Sequence, residues 1–212
     1  MKRKHFVWQL ESLQSFEDPK LHLEQYSTSA EMTAEMVEAV DREESLSGKT
    51  VGDFGCGPGI LMIGASLMGA AKCRGFEIDE STAEICRQNI QEMEIEDTCT
   101  VEIKDVLNNF ELPADEHFDI ILMNPPFGTK NNEGVDLRFV QAGLQVLKLN
   151  GSIYSLHKTS TRGGIMRKAA TWSNVTANIV AELRWELPKT YKHQRKQTQD
   201  IAVDLIRYKK SS

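Results

Sequence analysis

The chain has 212 residues, 40% hydrophobic and 26% charged, with a formal net charge of −6. That size and balance fit one soluble globular domain with a well-packed core, and exclude a fibrous, low-complexity or helical membrane-spanning chain. Residues 1–4 lead into no apolar signal core, so a reducing compartment is expected.

In chain order, residues 5–14 and 29–44 read as helices; in the second, Met32, Met36 and Val40 share one face. A strand over 49–54 runs into the turn Gly55-Cys56-Gly57-Pro58-Gly59 and a helix over 60–68. A strand over 73–78, a helix over 80–93 and a strand over 98–104 follow. The fourth strand, 118–123, ends in Asn124-Pro125-Pro126-Phe127-Gly128, and a polar loop over 129–134 comes next. Then come a helix over 136–147, a strand over 151–156, a helix over 162–172 and a strand over 178–187. A basic loop, 188–199, precedes the last strand, 200–208. This alternation predicts an α/β fold with a seven-stranded, doubly wound open sheet. The final connection has no helical pattern, so the last strand is expected to run antiparallel. One domain over 1–212 is expected, with 1–48 a helical N-terminal extension and 49–212 the core.

Cys56, Cys73, Cys86 and Cys99 form no C-x-x-C pair, and the five histidines are scattered. Neither a disulfide framework nor a metal site is expected. Charge is uneven: residues 1–150 hold 13 Lys+Arg against 27 Asp+Glu, whereas the last 62 residues hold 12 against 4. Such asymmetry suits a polyanion-facing C-terminal part on an acidic body; a solvated basic surface is equally compatible with charge alone.

The first strand and its turn place Asp53 two residues before a G-x-G-x-G run, where the backbone turns sharply and can approach a ligand. The second strand ends in Gly75-Phe76-Glu77-Ile78-Asp79, so Glu77 can accept both ribose hydroxyls of an adenosine. Asp105 follows the third strand within reach of an adenine amino group, with Val106 covering a ring face. Gly55, Gly57, Pro58, Ile60 and Ile78 complete the expected nucleoside pocket. A dinucleotide is disfavoured, because the spacing is wrong and Pro58 removes an N–H that a pyrophosphate would use. The plainer alternative makes Asp53 and Asp105 helix caps and the glycines an ordinary turn.

Asn124-Pro125-Pro126-Phe127 closes the fourth strand where open sheets bind ligands. The prolines stiffen the backbone, so the Asn124 side chain and the Pro125 carbonyl can converge on one NH₂ group, and Phe127 offers a stacking face. The alternative is a strand-ending turn with an exposed Phe.

The order of strand-end acids resembles the class I S-adenosylmethionine-dependent methyltransferases, whose sheet is Rossmann-like. The N-P-P-F turn resembles those acting on adenine, cytosine or guanine amino groups or a glutamine amide. Further segments narrow this: Phe16-Glu17-x-Pro19-Lys20-Leu21-x-Leu23-Glu24-Gln25-Tyr26-x-Thr28, the G-T-K-N-N run 128–132, Tyr154-Ser155-Leu156-His157-Lys158 and Asp200-Ile201-x-Val203-Asp204-Leu205-Ile206-Arg207. With them the chain resembles the methyltransferase-like protein five family over nearly its whole length. That resemblance implies N6-methyladenosine formation in small-subunit ribosomal RNA, in the nucleus or nucleolus and cytoplasm. It also implies a heterodimer with a small zinc-binding activator subunit, docked at the sheet edge near the third strand. There Cys99, Val101 and Ile103 alternate with polar residues as a pairable edge would. By the same resemblance Gln25 and Thr28 close over the cofactor, making 1–48 a lid. Ser27, Pro58 and Glu77 depart from the family pattern of proline, cysteine and aspartate. Lys158, Arg162, Arg167, Lys168, Lys189, Lys192, Arg195 and Lys196 are candidate phosphate contacts, and Trp172 and Trp185 are expected in the core. A glutamine-amide methyltransferase and a non-catalytic binding module remain the alternatives.

Overall fold

Seven runs rich in apolar and β-branched residues join in one sheet, and its central strands are buried on both faces. A computed structural model of the chain describes residues 2–128, 132–188 and 198–211. Its strands are β1 (Thr50–Phe54), β2 (Lys72–Glu77), β3 (Cys99–Ile103), β4 (Phe118–Met123), β5 (Leu147–Lys158), β6 (Val175–Pro188) and β7 (Thr198–Lys210). The helices are α1 (Arg3–Glu11), α2 (Ala30–Glu43), α3 (Ile60–Leu67), α4 (Glu80–Glu92), α5 (Val135–Gln145) and α6 (Arg162–Ala169). Strand order is β3-β2-β1-β4-β5-β7-β6. The first five strands pair parallel, and β7 lies antiparallel between β5 and β6.

Strand alternation divides the core. Ile120 and Leu122 of β4 face the layer of α1 to α4, with Met36, Val40 and Ile63 among its buried members. Ile121 and Met123 face α5 and α6, together with Phe54, Phe76 and Phe110. Those three rings meet edge to face, with centroids 4.8–5.5 Å apart. The Ser29 hydroxyl caps α2 by accepting from the Met32 N–H, and the α2 face predicted from Met32, Met36 and Val40 is the buried one. Trp185 is buried and Trp172 packs on the second layer. All four cysteines are buried free thiols.

Several boundaries differ from the pattern-based expectation, among them α1, which ends at Glu11 rather than 14. β5 begins at Leu147 rather than near 151, because the chain enters the sheet through an irregular stretch containing Asn150 at φ 63°. α6 ends at Ala169 rather than 172, and β6 begins at Val175, whose partner is Lys210. The 129–131 part of the polar loop and the 189–197 part of the basic loop lie outside the described residues.

The parallel order changes direction between β1 and β4, which opens a crevice at the carboxyl ends of the strands. One wall is stiffened by a buried polar chain. His157 Nδ1 lies 2.8 Å from Asp136 Oδ2 and Nε2 lies 3.0 Å from the Tyr208 hydroxyl, tying β5 to the start of α5 and to β7. With its proton on Nδ1 the ring donates to Asp136 and accepts from Tyr208. His157→Leu strands both partners away from water and should destabilise the protein by about 3 kcal/mol, against about 1 kcal/mol for Tyr208→Phe. Urea unfolding midpoints would show that order; equal, small losses would contradict it.

Candidate active site

Strand ends supply the site. The turn after β1 needs backbone that approaches its neighbours closely: at Gly57, with φ 55°, a Cβ would sit 2.9 Å from the Phe16 ring. The Gly57 N–H donates to Glu77 Oε2 at 2.9 Å, and the Asp79 N–H donates to Oε1 at the same distance. Burial pushes the Glu77 carboxyl up, opposed by those N–H groups. The carboxylate is thus held at the end of β2 with lone pairs to spare.

A cavity of about 410 Å³ opens over these ends. Gln25, Thr28, Gly55, Gly57, Pro58, Ile60, Glu77, Ile78, Asp105, Val106, Asn124 and Pro126 all line it. Ile78 is 50% exposed, a large apolar side chain offered at the rim. Asp105 Oδ1 accepts from the Leu107 N–H at 2.8 Å, which closes the turn after β3.

Asp53, Pro125 and Phe127 do not line the cavity. Asp53 is enclosed beneath the turn, and its Oδ2 accepts from the Met62 N–H at 3.1 Å in the first turn of α3. This is the helix-cap alternative that the sequence left open. Its Oδ1 has no partner among the described residues, and burial pushes the carboxyl from its ordinary 3.8 up to about 7. Pro125 is buried; Phe127 is half-buried, edge-on to Trp185, with Lys158 Nζ 5.4 Å from its ring centroid.

Asn124 carries the site's most informative contact. Its Nδ2 donates to Thr28 Oγ1 at 2.9 Å, while Oδ1 is shielded from water and has no partner among the described residues. The donor end of the amide is occupied and the acceptor end is not.

Residues 14–28 form a strap across both halves of the crevice. At the β2 end, Lys20 Nζ and Gln25 Nε2 bind the Asp79 carboxylate at 2.5 and 3.0 Å. Burial works to raise Asp79, but hydrogen bonds from Lys20, Gln25, Thr82 and Ser81 prevail and hold it well below its usual range. Asn89 ties the Gln14 carbonyl to the Pro58 carbonyl. At the other end, Glu24 Oε2 accepts from the Phe127 N–H at 3.0 Å and the Ser27 carbonyl accepts from Trp185 Nε1 at 3.3 Å. Lys20, Glu24, Asp79 and Asn89 were given no individual role from sequence, and Trp185 was expected only as a core residue. The acid-rich, proline-bearing run 16–28 was the available signal, but nothing local in it names partners 50 to 160 residues away.

Among the candidate phosphate contacts, Arg162 is already committed. Its guanidinium pairs with the buried Asp204 carboxylate at 2.6 and 2.7 Å and with Glu182 at 3.0 Å. Arg167 and Lys168 are exposed on α6. Lys189, Lys192, Arg195 and Lys196 lie outside the described residues.

An acid whose folded pKa is raised holds its proton more tightly in the native state. Native stability therefore falls as pH rises from about 4 through about 7. Asp53→Asn should remove that decline. Between about pH 5 and about pH 8 the wild-type protein should lose urea stability relative to the variant; parallel profiles would count against the assignment.

Residues 30–176 match the methyltransferase small domain family. The rRNA N(6)-adenosine-methyltransferase metl-5 of Caenorhabditis elegans is 44% identical over 212 residues, covering 99% of each chain. The rRNA N(6)-adenosine-methyltransferase METTL5 of Danio rerio is 41% identical over 209 residues, covering 98% of this chain and 99% of its own. The crystal structure of Pyrococcus horikoshii PH1948 superposes with a TM-score of 0.82 at 27% identity, covering 100% of this chain and 97% of that one. The seven-stranded α/β sheet, the cavity over its strand ends and these likenesses agree: the chain belongs to the METTL5 family of methyltransferases.

Proposed function

We propose that the protein transfers the methyl group of S-adenosylmethionine to the N6 amino group of an adenosine in small-subunit ribosomal RNA, together with a small zinc-binding activator subunit. The observation that carries this is the Asn124 amide, whose donor end is taken by Thr28 and whose acceptor end has no partner among the described residues, beside the cavity. The ribosomal RNA named for its relatives supports the substrate class.

The cavity suits an adenosyl group. Of the lining residues, Glu77 takes the ribose hydroxyls in this reading, Asp105 the adenine amino group, and Ile78 and Val106 the faces of the ring. Gly55, Gly57, Pro58 and Ile60 form the floor, and a side chain at Gly57 would clash with the Phe16 ring. Gln25 and Thr28 roof it, consistent with residues 1–48 acting as a lid. When bound, S-adenosylmethionine supplies an electrophilic methyl group on a sulfonium centre.

The chain's own part is positioning. Asn124 Oδ1 and the Pro125 carbonyl accept the two N–H bonds of the target amine. That holds its lone pair toward the donor and steadies the positive charge growing on nitrogen. The proton leaves to water afterwards, so no strong base is needed. An adenine must leave its stack and displace the cover over Oδ1 to arrive, with Phe127 as its stacking face. Lys158, Arg167 and Lys168 are the described candidates for its phosphates.

β3 is an edge strand paired only with β2 among the described residues, and Ile103 on it is 46% exposed. That edge is where the activator would add its own strand. Ribosomal RNA as substrate puts the work in the nucleus or nucleolus and the cytoplasm.

The test is mass spectrometry of nucleosides from small-subunit ribosomal RNA incubated with the protein, the activator and labelled donor. We expect labelled N6-methyladenosine, reduced by a factor of about 10²–10³ in Asn124→Ala with donor affinity kept. Label in protein instead would favour the glutamine-amide reading, and an unchanged rate in Asn124→Ala would remove the chemical assignment.

A further inference from the structure

An amide side chain has two faces, and only the oxygen face serves an amino substrate. In Asn124 the choice is made by a residue 96 positions earlier, on the strap: Nδ2 donates to Thr28 Oγ1 at 2.9 Å, leaving Oδ1 for the substrate. Turned over, the amide would point two N–H bonds at another NH₂ group, donor against donor. Thr28 also lines the cavity, so the residue that holds the Asn124 amide is itself within reach of whatever fills the cavity.

We infer that Thr28 is a positioning residue that couples occupancy of the cofactor cavity to the orientation of the Asn124 amide. A hydroxyl can accept from Nδ2 or donate to Oδ1, so the decision rests on where its own proton goes. An acceptor in the cavity draws that proton away from Asn124 and leaves Thr28 only the accepting role. The amino-acid carboxylate of the donor has the right chemistry, whereas an empty cavity leaves both orientations open. The strap adds a second restraint on the same turn, because Glu24 Oε2 accepts from the Phe127 N–H. The strap contacts and the amide orientation thereby meet at one turn, so a bound donor favours the orientation in which Oδ1 reads the base.

This inference rests on the function proposed above, and its test separates the two. Thr28→Val keeps the shape and loses the hydroxyl; Thr28→Ser restores it. Methyl transfer to the ribosomal RNA at saturating donor and RNA should fall about tenfold or more in Thr28→Val and recover in Thr28→Ser. Donor affinity by calorimetry should also fall, about tenfold or more, in Thr28→Val, because the same hydroxyl donates to the donor's carboxylate, and should recover in Thr28→Ser. In an Asn124→Ala background, Thr28→Val should cause no further loss. A loss of donor affinity with the saturated rate intact, or losses that multiply across the two sites, would overturn the inference.

A readout free of catalysis uses protein labelled with ¹⁵N at asparagine, with the Asn124 amide assigned by its absence in Asn124→Ala. Adding S-adenosylhomocysteine should slow exchange of one Asn124 Nδ2 proton in the wild type and in Thr28→Ser, and not in Thr28→Val. No slowing in the wild type defeats the coupling. Slowing without any methylation of ribosomal RNA would instead retain the coupling and defeat the proposed substrate.

Discussion

A buried amide oxygen without a hydrogen-bond partner costs about 1–3 kcal/mol, and folded proteins rarely tolerate one. Asn124 Oδ1 is such an atom, and it stands at the end of β4 beside a cavity built from three other strand ends. The two prolines after it leave the turn little freedom to relax and hide the defect. Under the proposed function, this acceptor awaits a donor that the described residues do not supply, which is how the site and the fold become one problem.

The rest of the structure serves that placement. The sheet order brings β1 and β4 side by side, so the glycine turn and the N-P-P-F turn face the same crevice although 65 residues and more separate them. The strap then crosses from Asp79 to Asn124, binding both halves through polar ties, while Tyr26 packs on the first core layer and the Phe16 ring covers Gly57. The wall behind is stiffer, with His157, Asp136 and Tyr208 joined in the interior.

Much of this was legible in the chain before folding, because the signals were local. Seven strands and the antiparallel last strand follow from period-two runs and from a final connection too poor in helical pattern to cross the sheet. The glycine turn, Glu77, Asp105 and Asn124 lie next to strand ends, and topology alone gathers strand ends. What stayed illegible was distant or divided. Asp53 sits in the expected motif yet turns under it to α3, since a strand residue two before the turn can point to either side. Arg162 looked like a free cation until Asp204, on a strand 42 residues later, took its guanidinium. The β5 boundary moved because Asn150 adopts φ 63° within the strand, where a break was the simpler reading. Thr28, assigned from family resemblance to the cofactor, also holds Asn124, a pairing that no spacing rule connects.

The most direct trial of the central claim is a crystal structure of the protein with its activator, S-adenosylhomocysteine and an adenosine-containing fragment of small-subunit ribosomal RNA. One flipped adenine is expected, with its N6 within hydrogen-bonding distance, about 3 Å, of both Asn124 Oδ1 and the Pro125 carbonyl. An adenine held elsewhere, with Asn124 Oδ1 still shielded and unpaired, would contradict it.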